Sequence, residues 1–232
     1  MSAKKGAAAS KAASKAGSAK KPVAAQKAVV AKNTPPAKNA VAAKKAPAAK
    51  PAAKKAPQSM PYEQGKWAHV FVRAAGERRY WLIKSEPDVF SIDDLFVAPK
   101  RTTGWDSVRN STARNFMRDG MKVGDLAFYY HSNAEPSAVV GICEIVREGY
   151  PDPTALDPAH EYFDASSNPA TPTWFMVDVR AHSKFARPVS LAEIKSTAAL
   201  SEMGLVKFGR LSVVPVTPAE WETIVTMGSR SS

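Results

Sequence analysis

The chain has almost no cysteine, no long apolar run and, over its first 57 residues, no acidic or aromatic side chain. The single cysteine, Cys143, cannot form an internal disulfide or build a zinc site, so we expect a reducing compartment. No apolar run approaches the roughly 20 residues that span a bilayer, and Lys interrupts the N-terminal segment every few residues. The sequence therefore predicts no transmembrane helix, no secretory signal and no membrane partner. A mitochondrial transit peptide is a minor alternative, because such peptides favour Arg and residues 1–57 contain none.

Charge is distributed unevenly along the chain. The 232 residues carry 33 Lys and Arg against 21 Asp and Glu, a net charge of +12. Residues 1–57 contain 14 Lys, which leaves 19 basic and 21 acidic residues, a net charge of −2, for positions 58–232. All of the excess positive charge therefore lies in the first quarter of the sequence.

Residues 1–57 are mostly Ala, Lys, Pro, Ser and Val, and their composition predicts a disordered basic tail. The segment resembles the tails of linker histones and of histone-like bacterial proteins. Each Lys placed on a phosphate releases a counterion, which gives an affinity that ignores base sequence and falls with salt. A solubilising linker is the alternative, but 14 like charges without an acid favour nucleic acid as the partner.

A folded domain is predicted for residues 78–228, after a linker over 58–77. Apolar and aromatic runs predict strands over 79–85, 125–132, 138–148 and 213–216. Alternation predicts a further strand over 174–180, in which Phe175, Val177 and Val179 should face the core. Capping residues and periodicity predict helices over 91–97, 110–119, 190–195 and 217–227. The long Pro-rich segment 150–172 is predicted to be a functional loop. Short connections of both element types indicate an α+β fold, a small mixed or antiparallel barrel with helices packed around it.

Four clusters of polar and aromatic residues could carry the chemistry: KSEP at 84–87, GWDSVRN at 104–110, YYHS at 129–132 and YPD at 150–152. Trp105 is predicted to lie in a loop, where it either fills the core or offers a face for stacking. Ser85, Asn110 and Ser132 have short polar side chains that suit the edge of a flat ligand.

The helix predicted over 110–119 has two distinct faces. Asn110, Arg114 and Arg118 recur every four residues on one face, whereas Ala113, Phe116 and Met117 lie on the other and should pack inward. A solvated surface is the simpler interpretation of the polar face, and we adopt it for Arg118.

Signals for catalysis are weak. His131 and Ser132 are adjacent on a strand, so their side chains point to opposite sides and cannot easily act as base and nucleophile. Asp106 or Glu86 could act as a general acid or base, but neither has a second carboxylate at a spacing that indicates a catalytic pair. Cys143 is predicted to be a buried, inert thiol on the same face as Val139 and Ile145. The scattered glycines and the four histidines give neither a phosphate-binding loop nor metal-ligand spacing, so we predict no enzyme, cofactor or metal site.

Taken together and in this order, the motifs resemble the EVE domain of the PUA-like superfamily, the thymocyte nuclear protein family. The matching stretches include YWLIKSEPDVFSIDDL, GWDSVRNSTARNFMRDGMKVGDLAFYYHSN, VVGICEIVREGYPDPTA, WFMVDVR and PVSLAEIKS. They cover residues 79–227, and the basic tail and the linker lie outside them. The resemblance implies a compact β-barrel related to the YTH domains, which hold a methylated adenine in an aromatic pocket. It also implies that the domain binds modified bases, mainly modified cytosines in DNA, with RNA as an open alternative.

The resemblance also implies the residues of a base pocket. Lys84 and Ser85 would lie at the strand that edges the pocket, and Trp105 would form its aromatic wall. The remaining residues would line the base (Asp106, Val108 and Asn110), lie near the mouth (Arg109 and Arg114), or close the opposite side (Tyr130, His131 and Ser132).

Three functions remain open on the sequence. The first is a non-catalytic reader of a modified DNA base, in which the pocket gives selectivity and the tail gives non-specific affinity. The second is an RNA-binding PUA-like module, and the third is an architectural nucleoid or chromatin protein that acts mainly through its tail. We expect a cytoplasmic, nucleoid-associated protein, or a nuclear one in a eukaryote. The sequence does not set the oligomeric state, and a monomer is the default expectation.

Overall fold

The structure, a computed structural model, describes residues 67–229. The predicted tail over 1–57, residues 58–66 of the predicted linker and residues 230–232 lie outside the described residues. None of the helices within 67–229 has the length and apolar character needed to cross a bilayer.

Six strands and five α-helices make up the described fold. The strands are β1 (Tyr80–Ser85), β2 (Thr102–Trp105), β3 (Leu126–His131), β4 (Ala138–Pro151), β5 (Phe175–Ser190) and β6 (Val213–Val216). The helices are α1 (Ile92–Val97), α2 (Ser111–Asn115), α3 (Leu191–Ser196), α4 (Gly204–Lys207) and α5 (Pro218–Ser229). Short 3-10 turns lie at Ala68–Val70, Pro99–Arg101, Pro153–Ala155 and Ala198–Leu200.

The strands form one mixed sheet in the order β2-β5-β4-β3-β1-β6. β1 runs parallel to β3 and antiparallel to β6, and the other neighbours are antiparallel. Two helices begin as the sequence predicts, because Ser91 and Ser190 each close a capping box, with Asp94 and Glu193 respectively. The prediction of an α+β fold with a mixed sheet and flanking helices is confirmed.

Two apolar clusters lie on opposite sides of the sheet. All six strands contribute to the inner cluster, which includes Trp81, Tyr129 and Val179 and also receives α2. The outer cluster lies between the sheet and helices α3, α4 and α5, and it includes Phe128 and Trp221. Alternation along each strand assigns neighbouring residues to different sides, so the two sides of β1 and β3 face different surroundings.

A bulge in β4 contradicts the prediction of which β4 residues lie on the same side of the sheet. Gly141 pairs with Tyr129, but Val139 pairs with the next residue, Tyr130, so Val140 is an extra residue in the ladder. The bulge shifts Val139 into the outer cluster, while Cys143 and Ile145 remain in the inner one. The prediction that Val139 and Cys143 share a face is therefore wrong. Cys143 is nevertheless fully buried, and burial raises the pKa of its thiol, as expected for an inert side chain.

The helix predicted over 110–119 is α-helical only in its first half. It begins at Asn110, whose Oδ1 accepts from the N–H groups of Thr112 and Ala113, and it widens into a π-helical turn over Phe116–Gly120. The helical segment ends at Gly120, which has no positive φ and is therefore not a left-handed cap. A Cβ at this position would lie 2.9 Å from the indole of Trp81, so close packing requires the glycine. The predicted inward face is confirmed, because Ala113, Phe116 and Met117 are buried.

Strands β4 and β5 are longer than predicted. β4 continues to Pro151, so the long connection begins two residues later than the sequence suggested, and β5 continues from Arg180 to Ser190. Val177 and Val179 are buried as expected, whereas Phe175 is half-buried beneath the guanidinium of Arg118.

Residues 67–77, expected to belong to a linker, pack against the domain. Val70 is only 3% exposed, and Trp67 makes an edge-to-face contact with Phe116 at 5.3 Å. Arg73 donates two hydrogen bonds to the carboxylate of Asp125, both at 2.8 Å. This part of the expected linker is part of the folded unit.

Candidate functional site

The end of β1 divides the predicted site between the two sides of the sheet. On the inner side, the Ser85 hydroxyl donates to the carbonyl of Phe90 at 2.7 Å, and the buried Tyr129 hydroxyl donates to the same oxygen at 2.8 Å. On the outer side, Lys84 Nζ donates to the carbonyl of Gly209 at 2.9 Å and lies 5.9 Å from the ring of Tyr130. The structure therefore does not bring all the predicted residues into one pocket.

Three rings form a ladder on the inner side. Trp105 meets Tyr129 edge-to-face at 5.5 Å, and Tyr129 meets His131 edge-to-face at 5.7 Å. Trp105 is the last residue of β2, paired with Val177, and not a loop residue as predicted. Its side chain is 8% exposed and belongs to the inner cluster beside Val108. Most of the indole therefore fills the core, and only a small part of it is open to a ligand.

His131 supports the start of α1. Its Nε2 accepts from the N–H of Ile92 at 3.1 Å, so this nitrogen carries no proton. Burial lowers the pKa of His131 and outweighs the opposing effect of Asp93 and Asp94. The imidazole is therefore held neutral at physiological pH, and this contact connects the end of β3 to α1.

Asp106 is a half-buried carboxylate that follows Trp105. Burial raises the pKa of Asp106, and the nearby carboxylate of Asp152 raises it further. A hydrogen bond from Ser107 and the charges of His160 and Arg109 act in the opposite direction but do not cancel the effect. No ion pair involves Asp106 in the described part of the chain, so beyond the Ser107 hydrogen bond its carboxylate can accept from a ligand with an N–H group.

Arg109 binds the long loop instead of projecting freely from the site. Its Nη1 donates to Asp152 at 2.7 Å, its Nη2 donates to the hydroxyl of Thr154 at 2.9 Å, and its Nε donates to the carbonyl of Tyr162 at 3.0 Å. The guanidinium also lies over the rings of Tyr162 and Trp174, at 5.7 and 5.4 Å. Because the planar guanidinium of Arg109 donates to several groups of the long loop, it fixes the course of that loop.

The Asp152 carboxylate fastens the loop to the other predicted residues. It is fully buried and accepts from the N–H of Ser107 at 3.0 Å, as well as from Arg109 and Thr154. Burial alone would raise the pKa of Asp152, but these hydrogen bonds outweigh burial and lower it. Asp152 and Thr154 were not among the predicted site residues, although YPD at 150–152 was noted as a polar cluster.

Arg114 and Asn110 also have structural partners. Arg114 Nη1 donates to the carbonyl of Thr173 at 2.5 Å, and its guanidinium lies 5.7 Å from the ring of Trp174. Trp174 in turn donates to Asp164 at 2.6 Å. Asn110 uses Oδ1 to cap α2, which leaves its Nδ2 amide as the group that can donate to a ligand.

A cavity of about 410 Å³ lies on the outer side. Four of the predicted site residues line it: Lys84, Tyr130 and Ser132, and also Ser85, although the Ser85 hydroxyl bonds to Phe90 on the inner side. The loop 209–212, which the sequence did not single out, forms another part of the wall. Within residues 67–229, no group of three or more His, Cys, Asp or Glu side chains could hold a metal ion.

The sequence comparison identifies the family. A model of the EVE domain matches residues 79–227, which is more than half of the chain. The chain belongs to the EVE domain family.

Relatives with names and structures agree with this assignment. Human thymocyte nuclear protein 1 is 40% identical over 165 residues, which cover 64% of this chain and 73% of that protein. A hypothetical protein from Leishmania major has a similar structure, with a TM-score of 0.63 and 45% identity over 67% of this chain and 97% of that chain. The human THYN1 protein in complex with DNA containing 5-methylcytosine has a TM-score of 0.63 and 38% identity over 66% of this chain and 99% of that chain.

Proposed function

We propose that this protein is a non-catalytic DNA-binding protein that reads a modified base, with a modified cytosine as its target. The observation that carries the proposal is the similarity to the human THYN1 protein solved with 5-methylcytosine-containing DNA, because the match covers 99% of that chain. The part of the present chain that matches is the EVE domain, which includes every predicted base-pocket residue.

The inner side of the β1 end offers the groups that a flat base requires. The Asp106 carboxylate can accept from the N4 amino group of cytosine, which is a pairing known from base recognition in DNA. The Asn110 amide can donate to a ring nitrogen or carbonyl, and Val108 provides an apolar contact for an added methyl group. We propose that the base lies among these side chains and those of Trp105, His131 and Ser85.

The energetics favour a base that has left the duplex. Extrusion costs a few kcal/mol of stacking and pairing, and contact with an aromatic side chain returns about 1–3 kcal/mol. Because Trp105 is largely buried, we expect the smaller end of that range and assign the selectivity mainly to the polar groups.

Affinity and selectivity are divided between two parts of the chain in this proposal. Positions 58–232 carry a net charge of −2, so the domain alone binds a phosphate backbone weakly. The 14 Lys of residues 1–57 supply the counterion release that non-specific binding requires. The tail therefore holds the nucleic acid while the domain selects the base.

Binding titrations of the full chain and of residues 58–232 test this division. The ligands are matched oligonucleotides with cytosine, 5-methylcytosine and its oxidised forms, and adenine with and without an N6-methyl group, each as DNA and as RNA. Loss of the tail should flatten the salt dependence and keep the preference for one modified base. Equal, weak binding to all ligands would favour the architectural alternative, and a preference for single-stranded RNA would favour the RNA-binding one.

The cellular location is part of the same proposal. The name of thymocyte nuclear protein 1 from human and mouse describes a nuclear protein. We therefore propose a nuclear location if the source of this chain is a eukaryote. The nucleoid-associated location stays a prediction for a bacterial source.

A further inference from the structure

Two cationic side chains without an ion-pair partner in the described chain line the outer cavity. Lys84 and Arg210 both line the cavity, and no Asp or Glu of the described chain forms an ion pair with either of them. Nine other cations of residues 67–229 do have such a partner, among them Arg73, Arg109 and Lys184. Lys84 and Arg210 are therefore two cations without an ion pair in the described chain that line the same cavity.

Lys84 is half-buried, which makes the missing partner more significant. Taking an ammonium group out of water costs free energy unless an anion or several acceptors replace the water. Nζ has one acceptor in the described chain, the carbonyl of Gly209 at 2.9 Å, and an ammonium group has three N–H donors. Burial lowers the pKa of Lys84, as expected where no anion compensates the charge.

Two hydroxyl groups and three apolar side chains form other parts of the cavity wall. The side-chain hydroxyls of Ser132 and Ser212 have no partner within residues 67–229 and can donate to a ligand. Leu191, Leu205 and Leu211 form apolar parts of the wall. Such a combination suits an anion attached to an apolar body, as in a phosphate ester.

Glu86 is the one carboxylate in the wall. It is exposed and accepts from Asn133 Nδ2 at 3.3 Å, so water and an amide already solvate it. Two cations against one solvated carboxylate leave the cavity with a net positive charge, although the domain as a whole is slightly negative.

We propose that this cavity binds a phosphodiester of the nucleic-acid strand, through Lys84, Arg210 and the hydroxyls of Ser132 and Ser212. The proposal rests on the proposed function, because it takes the phosphate to be the one next to the base that the inner side reads. Lys84 and Ser85 are consecutive residues that face opposite sides of β1, and their Cα atoms are about 3.8 Å apart. Ser85 connects the two places, because it lines the cavity and its hydroxyl bonds to the carbonyl of Phe90 on the inner side, so we place the base and its phosphate on either side of this residue. The cavity gives the domain a phosphate contact that does not depend on the tail.

The first test replaces the cations one at a time in the full chain. Lys84→Met keeps most of the side-chain stem and removes the charge, Arg210→Gln removes the second charge, and Lys195→Met is a matched control at an exposed lysine outside the cavity. Each cavity variant should lower the affinity for modified and unmodified oligonucleotides by the same factor, about tenfold for a charge-assisted contact. Each should also reduce the slope of log K against log salt by about 0.7 for a single strand. Affinities and slopes equal to those of the control, in variants with an unchanged melting temperature, would overturn the proposal.

The second test locates the phosphate. A methylphosphonate removes the charge of one linkage at a time on either side of the modified base. One of these linkages should weaken binding to the wild-type chain and have no further effect on the Lys84→Met variant. Additive losses at every linkage would contradict a contact at this cavity.

Free ligands distinguish a strand from a nucleotide. If 5-methyl-deoxycytidine monophosphate bound as tightly as the oligonucleotide, and Lys84→Met removed that affinity, the cavity would take a phosphate monoester and the strand proposal would be wrong. Failure of the base-reading proposal is seen separately, as equal affinity of the wild-type chain for modified and unmodified oligonucleotides. The charge variants would still change the salt slope in that case.

Discussion

Arg109 donates to the buried carboxylate of Asp152 at 2.7 Å, and this ion pair fastens the segment after β2 to the start of the long loop. The resemblance to the EVE family placed Arg109 near the pocket mouth, where an arginine would be expected to contact the ligand. In the structure, its donors are used by Asp152, Thr154 and Tyr162. We therefore expect Arg109 to act on binding through the loop and not through a phosphate.

Replacement of Arg109 by Lys tests this structural role. Lysine keeps the positive charge but cannot reproduce the planar fork, so Asp152 would lose part of its compensation. We expect the variant to lose about 1–3 kcal/mol of unfolding free energy, because hydrogen bonds to the buried carboxylate are lost, and to be cleaved faster by protease within residues 155–172. Arg101→Lys, at an exposed arginine, is the control for stability. Arg109→Gln, which removes the charge, tests for a phosphate contact. The slope of affinity against salt should not change in the folded Gln variant, and a reduced slope would show a phosphate contact instead.

Asp106→Asn should separate stability from binding. Burial raises the pKa of Asp106, so the folded protein holds the proton more tightly than the unfolded chain. The folded state is therefore relatively less stable once pH rises through this raised pKa, and the neutral amide should raise the melting temperature at pH 7. The same change should weaken the preference for a modified cytosine. A lower melting temperature together with unchanged binding would assign Asp106 to the structure alone.

The pH dependence of binding provides a second test of Asp106. If the carboxylate accepts from the base, affinity should fall as pH decreases through the raised pKa of this group. The Asn variant should lose that dependence. An identical pH profile for the wild-type chain and the variant would exclude the carboxylate from base recognition.

His131 should make the domain sensitive to mild acid. The pKa of His131 in the folded state lies below its unfolded value, so the unfolded chain binds the proton more readily. Stability should therefore be retained above the unfolded pKa, about 6.5, and should fall as pH decreases below it. His131→Gln, which can still accept from Ile92 N–H, should remove this part of the pH dependence in thermal melts. His69→Gln is a control at a histidine whose ring is not bonded to α1, and the two variants should not give the same profile.

Trp105 requires a conservative substitution. Trp105→Ala would leave a cavity in the inner cluster and cost about 3–5 kcal/mol, so the loss of binding in that variant would not distinguish folding from recognition. Trp105→Phe keeps an aromatic ring and should preserve a cooperative melt while reducing the preference for the modified base severalfold. Unchanged preference in a folded Trp105→Phe variant would restrict Trp105 to a core role.

Local sequence signals predicted most of the elements. Apolar and aromatic runs located β1, β3 and β6 to within a residue, and the capping Ser91 located the start of α1. These features depend on residues a few positions apart, which a sequence displays directly.

Features that depend on distant residues were not predicted. The π-helical turn accommodates Gly120 against Trp81, and the bulge at Val140 depends on the register between β3 and β4. Neither has a local signature. The packing of residues 67–77 depends in the same way on Asp125, about 50 positions away, which also accepts from Trp81 Nε1 at 2.9 Å.

The candidate site was predicted as a set of residues but not as a geometry. The motifs were found in the sequence, yet the side of the sheet that each side chain faces follows from strand pairing. Lys84 and Ser85 therefore belong to different surroundings although they are adjacent. The family resemblance placed Arg109 and Arg114 near the ligand, and nothing local in the sequence showed their partners in residues 152–173.

The central claim is that the EVE domain itself distinguishes a modified base, and one measurement tests it most directly. Residues 58–232 would be titrated with two DNA strands that differ only in the 5-methyl group of a single cytosine, at moderate salt. We expect a preference of at least about tenfold for the methylated strand, equivalent to 1.4 kcal/mol. Equal affinity for the two strands, in a domain that melts cooperatively, would contradict it.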